Sequence, residues 1–122
     1  MATLGDLERM VMDLLWDVAD ALPANELRSG LAHRNDVGES KEVALTTVLT
    51  VLSRLESKGF VTRDRRVRPH LYRATTTRAD HIAELMHEML GAATDREAVL
   101  ARFVGQVKPD EVDTLRRMLD NH

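Results

Sequence analysis

The chain has no cysteine, which rules out disulfides, thiolate metal sites and cysteine nucleophiles. No apolar stretch approaches the roughly 20 residues a membrane-spanning helix requires. The amino terminus, MATLGDLERM, is acidic and polar rather than signal-like, so the expected compartment is the cytoplasm. There is no glycine-rich phosphate loop and no nucleophile elbow. His33, His70, His81, His87 and His122 show no ligand-like arrangement, and Glu84-x-x-His87 alone is far short of a metal site. No metal and no cofactor is expected. An enzyme would need a constellation of paired acid and base groups, and the sequence offers none.

What remains is a soluble, globular composition: 122 residues, 43% hydrophobic and 30% charged, enough for one domain or a small domain with an appendage. The net charge of −3 is unevenly spread. Residues 1–42 carry 4 basic against 9 acidic side chains, residues 43–74 carry 7 against 2, and residues 75–122 carry 6 against 9. A basic middle within an acidic chain suggests a localised anion-binding surface.

Apolar periodicity predicts a first helix from about Leu4 to Val18, with Leu7, Val11, Leu14, Leu15 and Val18 as its stripe and Thr3–Asp6 as a capping pair. Pro23 suits the first turn of a second helix, with Ala24, Leu27 and Leu31 inward. Residues 33–42 have no period and read as a loop. A third helix follows, and Gly59 closes it where a helix terminator belongs. FVTRD and HLYRA then read as two strands of a hairpin, with RRVR and Pro69 between them. TTT at 75–77 offers a cap for a wholly helical tail, which breaks at residues 91–94 and again before Pro109. The expected fold is therefore mainly α with a small β-hairpin: a winged helix-turn-helix over residues 1–76 and a helical dimerisation domain over 77–122.

The third helix, ALTTVLTVLSRLESKG at 44–59, is both apolar and rich in threonine, a mediocre helix former. At about 100° per residue, Thr46, Thr47, Thr50, Ser53, Arg54, Ser57 and Lys58 share one face. Ala44, Leu45, Val48, Leu49, Val51, Leu52 and Leu55 share the other, with Glu56 among them. The polar face holds no carboxylate. Short hydroxyls allow close approach to DNA, donate to phosphates and base edges, and present a methyl to thymine. Arg63, Arg65, Arg66, Arg68 and Arg73 follow at once in the hairpin, a composition suited to phosphate and minor-groove contact.

Several stretches resemble the penicillinase-repressor family of the BlaI/MecI type: LGDLERMVMDLLW at 4–16, TTVLTVLSRLESKGFV at 46–61, HLYRA at 70–74, AVLARFVGQV at 98–107 and EVDTLRRML at 111–119. The resemblance covers nearly the whole chain. It implies a homodimeric repressor bound to double-stranded DNA at an inverted-repeat operator, commonly with TACA/TGTA-like half-sites, controlling β-lactam-response genes and its own operon. DNA contact then falls to Thr46, Thr47, Thr50, Arg54, Lys58 and the five wing arginines. The dimer interface falls to Ile82, Leu85, Met86, Met89, Leu100, Phe103, Val104, Val112, Leu115 and Leu119. Members that answer to β-lactams are cut in the tail at an Asn-Phe bond by a sensor-linked protease; here Phe103 matches, and Arg102 stands where those members have asparagine. Copper-responsive members carry a carboxy-terminal cysteine cluster, absent here. Two alternatives stand beside this reading: a ligand-sensing winged-helix regulator of another family, and a winged helix used for protein contact.

Overall fold

The computed structural model describes residues 4–33 and 42–121. The Thr3 half of the expected cap and nearly all of the 33–42 loop lie outside them. By its internal contacts the chain divides into two units, Met1–Ile82 and Ala83–His122.

In the first unit, α1 (Asp6–Trp16) is capped at Gly5, whose N–H donates to Glu8 Oε1 at 2.8 Å. The helix ends at Trp16, so Val18 drops out of the expected stripe and is exposed. Strand β1 (Leu22–Pro23) immediately precedes α2 (Ala24–His33). Pro23 thus belongs to a strand rather than to the first turn of α2. It is tolerated there because β1 lies at a sheet edge, where a missing N–H costs no ladder bond. Helix α3 (Leu45–Ser57) buries Val48, Val51, Leu52 and Leu55.

Helix α3 stops in a paired-bond terminator. Phe60 N–H reaches back to Leu55 C=O at 2.9 Å and Gly59 N–H to Glu56 C=O at 3.1 Å. The turn needs Gly59 at φ +85°, a backbone conformation that a Cβ penalises.

Strands β2 (Val61–Asp64) and β3 (Leu71–Ala74) pair antiparallel, and β1 adds to the far side of β3, giving the order β1-β3-β2. The sheet therefore has three strands where the pattern suggested two. Its register sets Val61 opposite Ala74 and Arg63 opposite Tyr72 on one face, with Thr62 opposite Arg73 and Asp64 opposite Leu71 on the other. Val61 and Tyr72 are buried, so the first of these faces the core. That core is where α1, α2 and α3 meet: Val11, Met12, Leu27, Leu31, Val48, Leu52 and Leu55 are fully enclosed. Truncating one such leucine to alanine costs about 2–5 kcal/mol.

Helix α4 (Arg78–Gly91) starts inside this unit. Thr77 and Asp80 cap each other reciprocally: Asp80 N–H donates to Thr77 Oγ1 at 3.1 Å, and Thr77 N–H to Asp80 Oδ2 at 3.2 Å. Trp16 Nε1–H donates to Thr76 C=O at 3.0 Å. Arg78 bonds Asp17 Oδ1 at 2.8 Å and lies 5.6 Å over the Trp16 ring. His81 is buried between Trp16 and Phe60, with ring centroids 5.3 and 5.5 Å away.

The second unit holds the rest of α4, α5 (Arg96–Gly105) and α6 (Pro109–Asp120). Asp95 caps α5 by accepting from Ala98 N–H at 3.1 Å, and Pro109 opens α6, both as the sequence suggests. Among its described residues none is buried.

Candidate nucleic-acid interface

The polar face of α3 is exposed along its length, with Thr46, Thr47, Thr50, Ser53, Arg54, Ser57 and Lys58 all open to solvent. Thr46, Thr47, Thr50 and Arg54 border a groove whose other wall is the first turn of α1. Thr50 Oγ1 donates to Thr46 C=O at 2.9 Å, so its proton is used within the helix and only an acceptor and a methyl face outward.

Lys58 is held at the foot of this face. Its Nζ donates to both oxygens of Glu8 at 2.9 Å. Glu8 is buried, which by itself pushes its carboxyl up. The Gly5 N–H bond, the Lys58 hydrogen bond, and the charges of Lys58 and Arg54 outweigh that and hold it below its ordinary value. One carboxylate thus closes the cap of α1 and ties α1 to the end of α3. The signal for it was Gly5-x-x-Glu8, three residues apart at a helix start, two positions beyond the Thr3–Asp6 pair that the pattern suggested.

The wing arginines separate into two groups. Arg63 points inward beside Tyr72, with its guanidinium carbon 6.0 Å from the ring centre, and it bonds Glu56 Oε1 at 3.0 Å. The other four are exposed. Arg65 makes a longer contact with Glu56, at 3.4 Å, and its side chain is 60% exposed. Arg66 grips Asp64 with two nitrogens at 3.1 and 3.2 Å while remaining 89% exposed. These bonds, with the Arg66 N–H, hold the Asp64 carboxyl below its ordinary value. A shallow concavity on the wing is lined by Arg63, Arg65, Arg66 and Arg73 around Asp64.

On the tail helices most of the residues assigned to a dimer interface are exposed. Ile82, Met86, Met89, Leu100, Phe103, Val104, Leu115 and Leu119 are exposed, while Leu85 and Val112 are half-buried. Arg102 donates to Ala98 C=O within α5. Among the described residues no group of side chains could hold a metal ion. Nor is any described helix long and apolar enough to cross a membrane.

Comparison with known proteins decides the family. The penicillinase repressor family model matches residues 4–121. The chain belongs to the penicillinase repressor family. It is 40% identical over 122 residues to the transcriptional regulator BlaI of Mycobacterium tuberculosis, in strains CDC 1551 and H37Rv, covering 98% of this chain and 84% of the relative. These relatives are regulators and not enzymes, in line with the absence of a catalytic constellation in the sequence. Solved structures share the fold at 18% identity. A MarR family protein from Bacillus stearothermophilus superposes with a TM-score of 0.51 over 98% of this chain and 73% of that one. The hsRosR-S1 complex superposes with 0.54 over 92% and 95%. The winged-helix architecture expected from helix, helix, helix, strand, strand is thus the one found.

Proposed function

We propose that this protein is a cytoplasmic, homodimeric repressor that occupies an inverted-repeat operator in double-stranded DNA and controls β-lactam-response genes and its own operon. The observation that carries the reading is the exposed face of α3, which has no carboxylate of its own, beside the arginine-rich wing. In this reading α3 enters the major groove through Thr46, Thr47, Thr50 and Arg54. Arg65, Arg66, Arg68 and Arg73 follow the phosphates. Arg63 and Lys58 act mainly as braces, since Glu56 and Glu8 already engage them.

The tail supports dimerisation. Beyond His81, whose ring belongs to the first unit, the described residues of these three short helices include none that is buried, so the tail lacks a core of its own, and its exposed Met, Phe, Val and Leu side chains suit a matching surface on a second copy. A twofold dimer then sets two recognition helices about 34 Å apart, one turn of DNA.

Footprinting on the DNA upstream of the gene, at two salt concentrations, tests the reading. The expected result is a protected inverted repeat whose affinity falls with salt by about 0.9 in log–log slope per phosphate contact. If neither this DNA nor a random-sequence selection yields a bound site, the operator reading fails and the basic wing serves a protein partner.

A further inference from the structure

The helical pattern groups Leu49 with the apolar face of α3, but on the folded protein it is 41% exposed while Val48 and Leu52 beside it are wholly enclosed. A lone exposed leucine is ordinary on a protein surface. This one sits in the second turn of α3, three residues after Thr46, next to Thr50 and four before Ser53, all of them exposed. That is the half of a recognition helix whose side chains reach base edges. Thr50 sharpens the chemistry. With its hydroxyl proton given to Thr46 C=O, it offers a partner only a methyl and lone pairs. Leu49 and Thr50 together therefore present methyl groups and an acceptor. In the major groove the methyl finds its match in the C5-methyl of thymine, and the acceptor in the N6 amine of the adenine paired with it.

We propose that Leu49 is a specificity-determining residue which, with the Thr50 methyl, reads thymine C5-methyl groups in the operator. This rests on α3 being the recognition helix. The test uses the full chain and the footprinted operator duplex, with thymines replaced one at a time by deoxyuridine, which removes only the methyl. One or two positions per half-site are expected to weaken wild-type binding about fourfold each, the size for one buried methyl group. Leu49→Ala is expected to lose a similar factor on the thymine duplex and to become indifferent to deoxyuridine at those same positions. Leu49→Met, still apolar, is expected to keep the discrimination. Because Leu49 is outside the core, the melting temperature should not move. The proposal is overturned if no thymine is sensitive, if Leu49→Ala weakens both duplexes equally, or if it weakens neither. Thr47→Glu separates this from the broader reading. If Thr47→Glu abolishes binding while Leu49→Ala changes nothing, α3 still reads DNA and only the Leu49 assignment falls. Retained binding by Thr47→Glu would remove the recognition helix itself.

Discussion

Replacing Glu8 with glutamine isolates the bond between α1 and the end of α3. Glutamine keeps the length of the side chain and an oxygen for the Gly5 N–H, and it loses the charge that faces Lys58. The pair is neither fully buried nor fully open, with side-chain exposures of 11% for Glu8 and 30% for Lys58. Exposed pairs contribute up to about 1 kcal/mol, and stripping one partner from a buried pair costs about 3–5 kcal/mol. With the cap bond retained, the expected loss is about 1–2 kcal/mol at pH 7. The pH dependence follows from the lowered carboxyl. A group more acidic in the folded than in the unfolded chain stabilises the fold above its unfolded value, and that stabilisation drains away as pH falls through the folded one. The gap between wild type and Glu8→Gln should therefore be full at pH 7 and shrink as pH drops below the ordinary 4.5. Urea unfolding followed by circular dichroism, at one fixed protein concentration between pH 7 and 3.5, reads both quantities. Equal stability at pH 7, or a gap that stays constant to pH 3.5, would refute the role given to the pair.

Exchanging Arg65 and Arg66 together for alanine should weaken binding to all DNA sequences and flatten the salt slope by about 0.9 per lost phosphate contact; Arg63→Met should instead lower stability by about 1 kcal/mol and leave the slope alone, and the reverse pattern would invert the division of the wing. Gly59→Ala meets no atom within 4 Å but must hold φ +85°, so an unfolding titration should show a loss of about 1–2 kcal/mol from backbone strain alone. Polar substitutions at Leu115 and Leu119 should give monomers in size-exclusion chromatography, and a persistent dimer would move the interface elsewhere on the tail.

The helices were legible because their apolar residues recur every three to four positions, and α3 in particular stands within a residue of its expected span. Strand β1 was not, since two residues give no alternation to read and Pro23 argues for a helix start when only its neighbours in sequence are considered. The expectation of a uniformly basic wing missed what strand alternation separates. Arg63 and Arg73 share a short hairpin, yet the register turns one toward Tyr72 and the other outward. Lys58 and Leu49 show the same limit on α3. Periodicity gives the direction of a side chain but not what stands opposite, and Glu8, fifty residues from Lys58 in sequence, is visible only once the chain is folded.

The attachment of the first turn of α4 has a practical consequence for dissecting the protein. A fragment ending after Thr76, where the winged-helix pattern runs out, would discard the Arg78 contacts with Asp17 and the Trp16 ring, and the His81 ring that fills the space between Trp16 and Phe60. It would leave two large aromatic faces bare and would be expected to aggregate. A fragment ending after Ile82 keeps those contacts, at the edge of the unit that the chain itself defines. Six residues, none of them on α3, are thus expected to separate a fragment that stays in solution from one that aggregates.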